Sequence, residues 1–269
     1  MGTFSWKSIR YPNRTGLELA GLLYSADSSK TVLIVCHGFT GSKEGGGRAV
    51  AMAEELGAMG YAVFLFDFSG CGESEGQFVD VTLTRHISDL DCTVDYCQHL
   101  GFERIITIGR SFGGTTAICL GNAGGRVSGV CTWAAPGTLS ELFSYLRLQE
   151  PVGSSQLLKL SEEVTPLWIK KGFLADLDNH DVYSRASEIA PMPLLVIHGA
   201  EDEVVPKENA GLIYGSAGEP KQIAIIDQAD HQFTGSHEKV WQVCFAWLRE
   251  YFPLSKQNVV INAVNHTNN

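Results

Sequence analysis

Along most of the chain, short runs of β-branched and aromatic residues alternate with segments whose apolar residues recur at helical spacing. This alternation predicts βαβ units around a largely parallel sheet. The strand-like runs fall at 4–10, 17–24, 31–36, 61–67, 104–108, 127–133, 194–198 and 221–226. Only Pro12-Asn13-Arg14-Thr15-Gly16 separates the first two, too short for a helical crossover, so they are expected to pair as an antiparallel hairpin at one edge. Leu83, Ile87, Leu90 and Val94 form one helical stripe, and Val240, Val243, Cys244, Trp247, Leu248 and Tyr251 form another. Both stripes are expected to press on the sheet.

The alternation stops between Pro136 and Met192. That stretch carries Leu142, Phe143, Tyr145, Leu146, Leu157, Leu158, Leu160, Trp168 and Phe173, too apolar for a linker. The expected organisation is a core of 1–135 and 193–253, a cap inserted at 136–192, and a polar, Asn-rich tail at 254–269. At 269 residues with 44% hydrophobic content, the chain can bury roughly 70–75% of the surface its unfolded form exposes. A formal charge of -10 argues against a nucleic-acid partner, which would need clustered Lys and Arg. The seven cysteines sit mostly inside apolar runs, as free thiols packing as small hydrophobes do, and a reduced, cytoplasmic protein is expected. There is no signal-peptide pattern, and no apolar run approaches the ~18 residues of a membrane span, so no membrane partner is expected.

Candidate chemistry begins at Gly109-Arg110-Ser111-Phe112-Gly113, a G-x-S-x-G set between a buried strand and a helix. Glycines flank such a serine because the sharp turn leaves no room for β-carbons and strains the serine backbone. A second match, Gly72-Glu73-Ser74-Glu75-Gly76, lacks that strand and helix context and reads as a loop. A serine nucleophile needs a histidine base that is oriented by a carboxylate. His231, between the last strand and the final helix, is the candidate base. His198, at the end of a buried strand, reads as a packing residue or a structural hydrogen bonder, and His86, His99, His180, His237 and His266 read as surface residues. Asp202 is the candidate acid, with Glu201 and Glu203 as local alternatives and Asp230 facing the wrong way if its loop is extended. The chain order Ser111, Asp202, His231 suits this architecture. Backbone N–H groups of Phe39, in His37-Gly38-Phe39-Thr40-Gly41, and of Phe112 are the expected oxyanion donors. Dinucleotide, P-loop and zincin motifs are absent, so neither a cofactor nor a metal is expected.

His37-Gly38, Asp67–Ser74, Gly109–Gly114, His198–Asp202 and Ala229–His231 together resemble the α/β-hydrolase superfamily over nearly all of residues 1–253. Lys171–Leu174, Asp181–Tyr183 and Ala229–Phe233 are further similar to bacterial cinnamoyl (feruloyl) esterases, from which the chain departs at Arg110 and Phe112. The resemblance implies an eight-stranded, mostly parallel sheet with the cap between strands six and seven shaping the acyl pocket. It implies a serine carboxylesterase acting on small to medium, aryl or acyl esters. Aminopeptidase, thioesterase or lactonase activity from the same triad, or a non-catalytic ligand-binding role, are the alternatives. His37, Arg110, Phe143, Tyr145, Trp168 and Val204 are the candidate substrate contacts. The expected partner is a small ester, and self-association as a homodimer stays open.

Overall fold

A computed structural model of the protein describes residues 3–161 and 166–254. The tail expected at 254–269 therefore lies, apart from Leu254, outside the described residues. Eight strands form the main sheet: β1 (Ser5–Pro12), β2 (Glu18–Ser25), β3 (Thr31–Cys36), β4 (Ala62–Phe66), β5 (Arg104–Arg110), β6 (Gly129–Trp133), β9 (Leu194–Gly199) and β10 (Lys221–Ile226). Two short strands, β7 (Leu157–Lys159) and β8 (Trp168–Lys170), pair separately as an antiparallel ribbon. The helices are α1 (Arg48–Ala58), α2 (Leu83–His99), α3 (Phe112–Leu120), α4 (Leu139–Leu142), α5 (Gly172–Leu177), α6 (Val182–Ser187), α7 (Glu208–Ser216) and α8 (His237–Tyr251).

The sheet order is β1-β2-β4-β3-β5-β6-β9-β10. β2 pairs antiparallel with both β1 and β4, and every other pairing is parallel. The predicted hairpin is thus present, and each of the eight expected strands is found. Asn13 closes the hairpin turn: its Oδ1 accepts from the N–H groups of Thr15 and Leu17, both at 3.0 Å. Its Nδ2 donates to the buried Asp89, 2.8 Å away, which ties the turn to α2. Asp89 Oδ2 accepts from Ser69 N–H at 2.8 Å, so losing Asn13 would strip the other oxygen of its donor at a cost of about 1–3 kcal/mol.

Successive strand side chains point to opposite faces, so continuous apolar strands feed two cores. Val32, Ile34 and Cys36 of β3 and Phe64 and Phe66 of β4 pack with Leu83, Leu90 and Val94 of α2 and Ala117 and Ile118 of α3. Leu33, Val63, Leu65, Ile106 and Ile108 face the other way, against Met52 and Leu56 of α1 and Val240, Cys244, Trp247 and Leu248 of α8. Both helical stripes read from the sequence lie on the sheet. All seven cysteines are free and buried, Cys36, Cys71, Cys97 and Cys119 in the first core and Cys131 and Cys244 in the second.

Between β6 and β9 the chain leaves the sheet and builds α4, the β7–β8 ribbon, α5 and α6. Leu139, Phe143, Leu146, Leu158, Phe173, Leu174 and Leu177 of this insertion are buried and continuous with the first core. Among the described residues no helix is long and apolar enough to cross a membrane.

Candidate active site

β5 ends at Arg110, and the chain reverses at Ser111, whose φ of 52° and ψ of -124° are rarely adopted by a residue with a side chain. The neighbours hold it there. The Ser111 N–H donates to Trp133 O at 2.7 Å, and Gly114 and Thr115 donate back to Ser111 O at 2.8 and 3.1 Å. A Cβ on Gly113 would collide with the carbonyl oxygens of Cys36 and His37, and one on Gly109 with the backbone of Gly113 and Gly114. The turn is therefore packed backbone against backbone, as the glycine spacing implied.

Ser111 precedes α3 but its hydroxyl does not cap the helix. Instead Ser111 Oγ lies 3.1 Å from His231 Nε2, and His231 Nδ1 lies 2.9 Å from Asp202 Oδ2. All three side chains are buried. The loops that bring them together are sewn to each other. Ala200 N–H donates to Ile226 O at 2.9 Å and Glu201 N–H to Ala229 O at 3.0 Å, and a Cβ on Gly199 would strike Ala229 O.

Asp202 accepts from four donors. Oδ1 takes the N–H groups of Val204 and Val205 at 3.0 and 2.8 Å. Oδ2 takes His231 Nδ1–H and also faces His198 Nε2 at 3.1 Å. That Nε2 is 2.8 Å from Val205 O as well. A carbonyl can only accept, so Nε2 carries the proton and shares it between the two oxygens. Burial pushes the Asp202 carboxyl upward, but the hydrogen bonds from His198, His231 and Val205 outweigh it and hold the group well below the usual carboxylate range. Its contribution to stability is thus fully present above the unfolded value of about 3.9 and fades only as pH falls through the lower folded value. The carboxylate stays ionised in mild acid. Its fixed charge favours the Nδ1–H tautomer of His231, which leaves Nε2 to accept the Ser111 proton.

The loop 37–41 passes against Ser111: a Cβ on Gly38 would sit 3.4 Å from Ser111 Cβ and 3.2 Å from Arg110 Nη2. Among the described residues, neither the Phe39 nor the Phe112 N–H is spent on a protein acceptor.

A family model described as the alpha/beta hydrolase fold matches residues 31–151, which hold β3 through β6 and Ser111. The fold is that of the α/β-hydrolases. Among relatives of this chain, the uncharacterized protein YfhR of Salmonella typhimurium is 26% identical, the match covering 88% of this chain and 78% of YfhR. The esterase domain of a Rhodothermus marinus protein is 27% identical with a TM-score of 0.73, over 92% of this chain and 99% of that one. Est1E of Butyrivibrio proteoclasticus, solved with ferulic acid bound, superposes with a TM-score of 0.80 over 91% of this chain and all of that one, at 22% identity. This last likeness is one of fold.

The loop after β4 is anchored by a buried ion pair. Asp67 accepts from Lys43 N–H at 2.6 Å, Lys43 Nζ at 2.8 Å and Glu73 N–H at 2.9 Å. Lys43 Nζ also reaches Glu73 and Glu44. Burial alone would lower the Lys43 pKa, yet the three carboxylates raise it above its ordinary value. Lys43→Met would leave Asp67, which is 0% exposed, as an uncompensated buried charge. The expected cost is about 3–5 kcal/mol of stability, read as a lowered urea midpoint at pH 7. The second G-x-S-x-G belongs to this anchor: Ser74 Oγ donates to Asp67 O at 2.6 Å and accepts from Ala20 N–H at 2.8 Å.

The candidate substrate contacts fall in different places. Phe143 packs on Phe39 and Phe112, with ring centroids 5.2 and 6.2 Å apart, over the residues whose N–H groups are unspent. Phe173, which was read only as cap content, completes the cluster at 5.4 Å from Phe39 and 4.9 Å from Phe143. His37 is engaged by backbone on both sides: Nδ1–H donates to Gly38 O and Nε2 accepts from Phe68 N–H. Arg110 reaches Gln232 Oε1 at 2.7 Å and His231 O at 3.4 Å. Tyr145 is exposed and its hydroxyl is 3.5 Å from Leu160 O, and Trp168 lies in the β7–β8 ribbon with no ring contact to the cluster among the described residues. Val204 is exposed, and its N–H belongs to the Asp202 turn.

One surface expectation is corrected. His86 is fully buried and stacked on Phe68 at 3.9 Å, beside Phe112, and burial holds its pKa well below the ordinary value. It lies three residues after Leu83 and four before Leu90, so it shares their apolar stripe. That spacing was the missed signal.

Proposed function

We propose that the protein is a serine carboxylesterase working through an acyl-enzyme. The observation that carries this reading is the chain of contacts from Ser111 Oγ to His231 Nε2 at 3.1 Å and from His231 Nδ1 to Asp202 Oδ2 at 2.9 Å. Asp202 keeps its charge because all its other partners are donors.

In the first half-reaction Ser111 Oγ bonds to the ester carbonyl carbon while its proton passes to His231 Nε2. The carbonyl π pair moves to oxygen, where the N–H groups of Phe39 and Phe112 receive the negative charge. The oxyanion then collapses, the ester C–O bond breaks, and the leaving alkoxide takes the proton from His231. Water repeats the sequence on the acyl-enzyme, releasing the acid and restoring Ser111. No cofactor enters these steps.

The insertion 136–192 serves as the cap over the acyl group. Phe143 and Phe173 from the cap, with Phe39 and Phe112 from the core, favour an apolar or aromatic acyl chain, whose burial positions the carbonyl. The likeness to an esterase domain and to a structure holding ferulic acid supports the same direction.

The test is a turnover profile over acetyl, butyryl, octanoyl and feruloyl esters, an acyl thioester and an aminoacyl amide. Ester turnover with kcat/KM rising from acetyl toward octanoyl or feruloyl is expected. Faster amide or thioester cleavage would replace the reading with a peptidase or thioesterase. No turnover, together with no fluorophosphonate labelling of Ser111, would leave a ligand-binding protein.

A further inference from the structure

Behind the loop that carries Gly38, a cavity of about 530 Å³ opens between the N-terminal end of α1 and the segment running from the His231 loop into α8. Met52, Trp133 and Trp241 give it an apolar floor, and Arg48, Arg110 and His237 face it as well. Among the described residues no Asp or Glu lines it, although the formal net charge of the chain is -10. Its other cation, Lys43, is already neutralised by Asp67 and Glu73.

Among the described residues neither arginine has a carboxylate within ion-pairing distance, and Asp202 acts on Arg110 only from further off. Among the described residues Arg110 hydrogen-bonds only neutral oxygens, those of Gln232 and His231. Arg48 is exposed and has no carboxylate within ion-pairing distance among the described residues. Burial lowers the Arg110 pKa, and the charge on Arg48 adds to that against the opposing pull of Asp202. Burial pushes the His237 imidazole below its ordinary value, and Arg48 and Arg110 push it further, against the opposing pull of the Gln232 backbone and Asp230. Like charges facing a half-open, partly apolar space raise each other's free energy, more so where the dielectric is low. A ligand with one negative charge and an apolar body relieves that repulsion and covers the tryptophans.

We propose that this cavity binds a monocarboxylate carrying an aromatic or alkyl body, with the carboxylate between Arg48 and Arg110 and the body over Met52, Trp133 and Trp241. The site is separate from the acyl pocket. Gly38 lines the cavity and touches Ser111, whereas Ser111, Phe39, Phe112, Phe143 and Phe173 do not line it. Arg110 belongs to both sides, because it also holds the carbonyl of His231.

Isothermal titration calorimetry of 3-phenylpropionate and of its neutral amide tests this, on untreated protein and on protein whose Ser111 has been blocked with a fluorophosphonate. The carboxylate is expected to bind at least tenfold more tightly than the amide, to weaken with added salt, and to bind equally well when Ser111 is blocked. Arg48→Glu is expected to weaken it more than tenfold and Arg48→Lys much less, with ester turnover unchanged in both. Equal affinities for acid and amide, or an unaffected Arg48→Glu variant, would overturn the anion site. Loss of binding on blocking Ser111 would overturn its separateness and make the cavity an arm of the ester pocket. If Ser111 does not react, the Arg48 variants on untreated protein still decide the cavity, while the esterase reading falls by itself.

Discussion

Ser111→Ala is expected to lower ester kcat by about 10⁶-fold while leaving the melting temperature close to that of the parent. The magnitude follows from removing the only atom that bonds to substrate in a unit whose members act together. The structural half follows from how Ser111 is held. Its unusual backbone is fixed through Ser111 N–H to Trp133 O and through the returning bonds from Gly114 and Thr115, none of which involves the hydroxyl. Among the described residues Oγ hydrogen-bonds only His231, and deleting one such hydrogen bond costs about 0.5–1.5 kcal/mol. Measuring kcat alongside thermal unfolding checks both halves. Parental turnover in a folded Ser111→Ala protein would show that another group does the chemistry.

Asp202→Asn is expected to cost about 10⁴-fold in kcat, and to destabilise the protein as well. The amide oxygen has one good place to sit, where Oδ1 now accepts the N–H groups of Val204 and Val205. The NH₂ then takes the position of Oδ2 and points at His231 Nδ1 and His198 Nε2. His231 must give up its Nδ1 proton and carry it on Nε2, where it can no longer accept one from Ser111. His198 cannot yield in the same way, because Val205 O needs the Nε2 proton, so two donors meet in a buried space. Fluorophosphonate labelling of Ser111 should slow in parallel with kcat, and the urea midpoint should fall. Full labelling at the parental rate would remove Asp202 from the relay.

The strands and the elbow were legible because each is written in local signals. Continuous apolar runs mark strands buried on both faces, and Gly109, Ser111 and Gly113 mark a turn with no space for β-carbons. The approach of Asp202 to His231 was inferred from chain order and strand ends. What stayed hidden depends on partners far away in sequence. His198 could be read as a packing residue or structural hydrogen bonder but not as a partner of Asp202, because holding Asp202 from the strand below exists only once the loop 199–205 folds back over it. His86 was misplaced because a polar type distracted from its position on an apolar stripe. Phe173 could be read as cap content but not as a neighbour of Phe39, since the fold of the insertion decides which of its aromatic residues turn inward. The arginine-faced cavity joins the start of α1 to α8 across the whole chain and leaves no motif at all.

The seven buried thiols give the molecule a built-in record of its own opening. Burial raises the pKa of Cys36 and Cys97 on one side of the sheet and of Cys131 on the other, so an alkylating reagent meets neither access nor thiolate until a layer separates. Cys36, Cys97 and Cys119 time the exposure of the α2–α3 layer, and Cys131 and Cys244 that of the α1–α8 layer. The order in which the two sets acquire the label tells which half of the sandwich loosens first.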